Sequence, residues 1–166
     1  MKLSQIGEVN HGQTLSRITA KPDEEKIEVP LFTIQDLNIE NGNLENKLET
    51  KTISISKDDF SKEILSKKDM VVIGLTVHKA CVINKEHTKK IIPSNFAYVV
   101  LNKRKIDPYY FTWYFNEHPQ IKKVLQVATQ GSSLRALSVQ MLRELDIELI
   151  DIKSQKKIGQ IYHLNL

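Results

Sequence analysis

Residues 129–158 read TQGSSLRALSVQMLRELDIELIDIKSQKKI, and the order of elements in this stretch decides the fold class. Thr129 to Arg135 is a polar loop built on Gly131 and small hydroxyl residues, ending in a cation. Ser138 can accept a hydrogen bond from a free backbone N–H two or three residues on, so a short helix is predicted to open there. Leu145, Ile147 and Leu149 then alternate with Asp146 and Glu148. A period of two puts all three aliphatics on one side of a predicted strand with a buried face. A further helix is predicted from near Ser154, so the order is loop, helix, strand, helix.

Upstream of this stretch the chain is helical. Asp107 can cap, and Pro108 sits at the first helical position where its missing N–H costs nothing, so a helix is predicted to about Glu117. It carries Tyr110, Phe111, Trp113, Tyr114 and Phe115, read as core. Tyr109, near Lys103, Arg104 and Lys105, is the one aromatic of the run left as a candidate for base stacking. Pro119 opens a second helix, with Ile121, Val124, Leu125 and Ala128 spaced as one apolar stripe.

The first hundred residues read differently. Ile6 and Val9 mark a short strand, followed by a polar loop from Asn10 to Arg17 and an exposed, charged loop from Thr19 to Glu28. Val29–Ile34, Thr52–Ser56, Met70–Ile73, Ala80–Ile83 and Phe96–Leu101 are predicted strands, rich in β-branched and aromatic residues. Asn41, Gly42 and Asn43 supply a turn, and Asp58 to Lys68 is a polar connection anchored by Phe60, Ile64 and Leu65. Strands first and helices after argue an α+β domain: a twisted or barrel-like sheet with helices packed at one side.

A Gly-Ser loop (Gly131, Ser132, Ser133) feeding Arg135, and a strand leading into a Gln-x-x-Ile helix (Gln155, Ile158), resemble one family. They look like the end of a target-recognition domain in the DNA-specificity subunit of type I restriction-modification systems. The resemblance runs thinly over most of the chain. The glycine-containing loop at Gly12 and the variable segment after it match the family's order. So do Asp69 before a buried strand, the loop Gly74–Lys79 and the strand that follows. The resemblance implies a non-catalytic adaptor that reads one half of a bipartite double-stranded DNA target. It would position methyltransferase subunits, and with them restriction subunits, on that DNA. Residues 1–152 would form the recognition domain and residues 153–166 the start of a spacer helix.

The chain departs from the family in carrying one recognition domain, in lacking proline across Ile150–Ser154, and in a last helix that stops at Leu166. Ile158, Ile161 and Tyr162 begin an apolar stripe that a helix of barely a dozen residues cannot hold stable in water without a partner surface. A truncated half-subunit, a recombination cassette, and a stub docked on another chain all fit, the last including a second half-subunit or a homodimer. The competing reading is a non-catalytic protein-interaction module, or an inactive remnant, docking through this helix.

The chain has 166 residues and a formal charge of +4. Residues 1–50 carry five Lys/Arg against nine Asp/Glu, a net of −4. Residues 51–100 carry nine against five and residues 101–166 ten against six, each a net of +4. A phosphate-facing surface is therefore expected from the last two thirds. The lone Cys81 excludes an internal disulfide, and the N-terminus lacks a signal-peptide pattern, so a cytoplasmic protein is expected. No apolar run approaches the roughly twenty residues of a membrane helix.

Catalytic constellations find no support. His78, Cys81 and His87 fall short of four convergent zinc ligands, and in an extended chain His78 and Cys81 face opposite ways. Asp23, Glu24, Glu25 and Lys26 are contiguous in a loop, whereas a nuclease metal site needs carboxylates converging from rigid elements. No cofactor motif is present. Three polar loops remain: Gln13, Thr14 and Arg17 in the first; Thr76, His78 and Lys79 in the second; Gln130, Ser132, Ser133 and Arg135 in the third. By composition alone each of these residues reads as ordinary hydrophilic surface; with Asn95 they are the DNA contacts that the resemblance implies. Gln and Asn can bond adenine at two atoms and Arg guanine at two, while Ser and Thr suit base or phosphate.

Overall fold

The computed structural model describes residues 1–43, 50–131 and 133–166. In chain order it runs β1 (Gly7–His11), α1 (Leu15–Ile18), β2 (Lys26–Pro30), α2 (Ile34–Glu40), β3 (Thr52–Ser56), α3 (Lys57–Phe60), β4 (Val71–Gly74), β5 (Lys79–Val82), β6 (Phe96–Leu101), α4 (Pro108–Glu117), α5 (Pro119–Ala128), α6 (Val139–Glu144) and α7 (Ile152–Leu164). Four strands form an antiparallel sheet in the order β1-β6-β4-β5, and β2 pairs with β3 in a separate antiparallel ribbon. The four-stranded sheet is open, not closed into a barrel.

Both faces of this sheet are covered, which is why β4 reads as an unbroken apolar run. Val71, Ile73, Val99 and Val9 face Phe111, Tyr114, Phe115, Leu125 and Leu142 from the helices after Pro108. Val72, Cys81, Phe96 and Tyr98 face Phe32 and Leu37, so α2 covers part of the opposite side. Val29, Ile53, Ile55 and Ile91 tie the ribbon to the rest, with Leu15, Ile18 and Phe60 packed around them.

The helix starts follow their caps. The Asp107 carboxylate accepts from the N–H groups of Tyr109 and Tyr110, each at 3.0 Å, ahead of Pro108 at the start of α4. Ser138 accepts from the Met141 N–H at 3.1 Å, opening α6 as predicted. The last helix begins at Ile152, ahead of Ser154, because the Asp151 carboxylate accepts from the Ser154 N–H at 2.9 Å.

Three elements differ from expectation. Leu145–Leu149 is extended, with Leu145 and Ile147 buried as the alternation requires, but it is not a strand. Among the described residues its ladder neighbour is the chain start, through one bridge between Lys2 and Asp146 and bonds from Leu3 N–H to Leu145 O (2.9 Å) and Ile147 N–H to Met1 O (2.8 Å). The strand expected at Val29–Ile34 instead spans Lys26–Pro30, taking the end of the predicted Thr19–Glu28 loop. Thr33 then starts α2 through a reciprocal cap: its hydroxyl accepts from Asp36 N–H at 3.2 Å and the Asp36 carboxylate accepts from Thr33 N–H at 3.0 Å. The first polar loop is likewise divided, Asn10 and His11 ending β1 and Leu15–Ile18 forming the one-turn α1.

Part of the apolar stripe of α7 finds its partner surface within the chain: α7 packs against α4, with Ile158 and Tyr162 half-buried, whereas Ile161 stays 63% exposed. A Cβ on Gly159 would stand 2.7 Å from Tyr110 N and 2.9 Å from Tyr109 Cβ, so glycine permits the close approach. Gln155, 1% exposed, accepts from Asp107 N–H (2.9 Å) and donates to Lys105 O (3.0 Å) and Ile150 O (2.8 Å). Tyr109 packs on the His163 ring at 4.3 Å and donates to Asn84 Oδ1 at 3.1 Å, which takes it out of consideration as a stacking platform.

Candidate nucleic-acid interface

The register of the four-stranded sheet brings the polar loops to one end. His11 at the end of β1 pairs through Ala97 with the start of β6, and Gly74 at the end of β4 faces both Phe96 and Lys79. The loops after β1 and β4 and before β6 therefore leave from the same edge. Gly12 N–H donates to Phe96 O at 2.8 Å and Gln13 N–H to Ile92 O at 2.7 Å. A Cβ on Gly12 would collide with the Pro93 carbonyl, so this seam needs glycine. Leu75 N–H donates to Asn95 O at 3.1 Å, and Leu137 N–H to Leu75 O at 2.8 Å, which stitches the third loop to the second.

A side-chain bond closes the arrangement. Nε2 of His78 lies 2.6 Å from Arg135 O, and since a carbonyl can only accept, that nitrogen carries the proton. Among the described residues four non-glycine residues have left-handed backbones, and His78 (φ 53°) and Arg135 (φ 47°) are the pair joined by this bond. Each such residue costs of the order of 1 kcal/mol or more, so strain is concentrated where two loops meet.

Beside this contact lies a crevice of about 270 Å³ lined by His78, Lys79, Asn116, Lys122, Gln126 and Arg135, among others. Gln130 and Gly131 line an adjoining hollow with Arg135. Buried Asn116 accepts from Ala80 N–H (2.8 Å) and donates to Ala80 O (2.9 Å), fixing the end of α4 to β5 and so the position of neighbouring Lys79. Glu117 lies between the two lysines, 3.9 Å from Lys79 Nζ and 3.3 Å from Lys122 Nζ. Three cations and one carboxylate thus surround the opening, a surface suited to an anion. A second crevice, of about 420 Å³, lies between the same sheet end and the ribbon, with Asn95, Thr33, Gln35 and Lys51 among its lining.

The candidates are unevenly placed. Thr76, Lys79, Asn95, Gln130, Ser133 and Arg135 are exposed at the convergent end. His78 is half-buried by its bond, and Gln13 is half-buried with its amide donating to Ile64 O at 3.0 Å. Thr14 is exposed before α1, and Arg17 is exposed on α1, which packs against β3 and not along the crevice. Ser132 lies outside the described residues. Lys122 and Gln126 were missed: with Gln130 they repeat every fourth residue, a polar face of α5 opposite the apolar stripe that had drawn attention.

The metal candidates are dispersed. His78 is in the β4–β5 turn, Cys81 is buried in the far face of the sheet, and His87 is buried against Asp36 and Glu40. Among the described residues no group of three or more His, Cys, Asp or Glu could hold a metal ion.

The sequence model of the type I restriction modification DNA specificity domain matches residues 1–163. The chain belongs to this family. No curated protein matches the sequence. The specificity domain's fold recurs in solved structures. A chain from a type I R-M system, solved for its complex assembly and conformational transition, superposes with a TM-score of 0.67 at 10% identity, over 99% of this chain and 41% of that one. The HsdS subunit from Thermoanaerobacter tengcongensis gives 0.59 at 13% identity, over 99% and 36%. The type I S subunit from M. genitalium gives 0.59 at 12%, over 99% and 37%. The chain thus spans about two fifths or less of the length of these structures. The family's role is DNA sequence specificity and, in general, not catalysis. Among the described residues no helix is long and apolar enough to cross a membrane.

Proposed function

We propose that this chain is a cytoplasmic half-site reader: it recognises one half of a bipartite double-stranded DNA target and positions methyltransferase and restriction subunits there. Residues 1–152 form the reading unit, and residues 153–166 open the spacer helix. Thr76, His78, Lys79, Asn95, Gln130, Ser133 and Arg135 meet DNA at the convergent sheet end, together with Lys122 and Gln126. Gln13, Thr14 and Arg17 extend the contact along the ribbon side. The observation that carries this reading is the bonded pair His78–Arg135, which unites loops 57 residues apart in sequence beside a cation-rimmed crevice. Ile161 and Leu164, 63% and 75% exposed on the outer side of α7, suit a partner helix from a second half-subunit or another copy of the chain.

The test is selection of bound duplexes from a random pool at low salt, followed by titration of the selected sequence against a scrambled one as salt rises. A short enriched motif is expected. Affinity should fall by about 0.9 log units per log unit of salt for each phosphate neutralised. Arg135→Ala should weaken the selected duplex more than the scrambled one if the guanidinium reads a base, and both equally if it holds phosphate. An unenriched pool defeats the proposal and favours a protein-docking module.

A further inference from the structure

Two apolar side chains stand exposed at the convergent end. Leu134 is 78% exposed and Val77 is 42% exposed. Each immediately precedes one of the left-handed residues, Arg135 and His78, whose bond joins the two loops. Val77 lies over Gly74, where any Cβ would run into its Cγ2, so the β4–β5 turn holds Val77 in place by means of that glycine. Leu137 N–H, bonded to Leu75 O at 2.8 Å, secures the other loop just beyond Leu134. Single exposed aliphatics are common on protein surfaces. These two differ in flanking in sequence the two residues of one strained, hydrogen-bonded contact, His78 and Arg135, which line a crevice together with Lys79 and Lys122.

Cations there suit the phosphates, but a leucine and a valine have nothing to gain from them. On the major-groove edges of the base pairs, the apolar feature an aliphatic side chain can meet is the 5-methyl group of thymine. We infer that Leu134, with Val77 next in sequence to the other residue of that contact, reads thymine methyl groups and so helps to set the sequence preference. This rests on the DNA-reading role proposed above.

The experiment uses the full chain and its selected duplex, with each thymine replaced singly by deoxyuridine, which removes the methyl group and keeps the pairing. At one or two positions affinity is expected to fall roughly fourfold, the worth of one buried methyl group. Leu134→Ala, a change at an exposed site that the fold should tolerate, should erase the difference between thymine and uracil there. It should bind the uracil duplex about as well as the unaltered chain does. A selected motif without thymine, indifference to every deoxyuridine, or full discrimination kept by Leu134→Ala would each overturn the inference while leaving DNA reading intact. A chain that selects no sequence overturns both.

Discussion

Replacing Gln155 by methionine tests how the last helix is held. Methionine is close to glutamine in size and fills the same space, so the change removes hydrogen bonds without opening a cavity. The side chain is 1% exposed and makes three bonds, to Asp107 N–H, Lys105 O and Ile150 O, at 2.9, 3.0 and 2.8 Å. At about 1 kcal/mol each, and somewhat more where a main-chain group is left buried and unpaired, the loss is roughly 3 kcal/mol. For a domain of this size that lowers Tm by roughly 6–12 °C. Thermal unfolding reads the change directly, and hydrogen exchange should lose protection first over Ile152–Leu164. These bonds lie beyond the Leu101 end of β6, while the polar loops lie at its Phe96 end. DNA affinity measured well below Tm should therefore be unchanged. A Tm within about 2 °C of the unaltered chain would refute the argument that Gln155 anchors α7 to α4.

Three further outcomes are expected. His87 is held between Asp36 and Glu40, whose hydrogen bonds raise its pKa from 6.5 to about 9, so the folded state favours the imidazolium. The resulting stability is fully present below pH 6.5 and lost as pH rises through 9; denaturant midpoints across that window should show the fall, and His87→Gln should flatten it. Gly159→Ala should lower stability by about 1–3 kcal/mol, because the new Cβ meets main chain at Tyr110 and must push α7 outward, as urea titration would register. Arg135→Gly should leave stability unchanged or raise it by about 1 kcal/mol, since glycine adopts the left-handed backbone freely. The same variant should bind DNA more weakly, with a salt slope about 0.9 lower if the guanidinium neutralises one phosphate.

Much of the fold was legible wherever a local rule met no competitor. Asp107-Pro108 predicted the start of α4, Ser138 that of α6, and the aromatic strand Phe96–Leu101 has its predicted bounds. The expectations that changed did so for identifiable reasons. Thr33 and Asp36 form a reciprocal cap that turns the chain into helix just where β-formers suggested more strand. Leu145 and Ile147 keep the burial their alternation predicts, but strand pairing needs a neighbour, and the chain start supplies only one bridge. At the site, the loop compositions were visible but their meeting was not. Lys122 and Gln126 were hidden because the apolar face of α5 is the one periodicity announces.

The sequence by itself determined the helix starts at Pro108 and after Ser138, the strands Thr52–Ser56 and Phe96–Leu101, and which loops are polar, because these depend on side-chain period and capping chemistry close by in the chain. Only the tertiary structure decided that the loops share one end of the sheet, that His78 bonds the Arg135 carbonyl, and that α7 rests on α4 of its own chain. Those relations follow from strand order and register. They are set by how the whole core packs, and no local pattern encodes them.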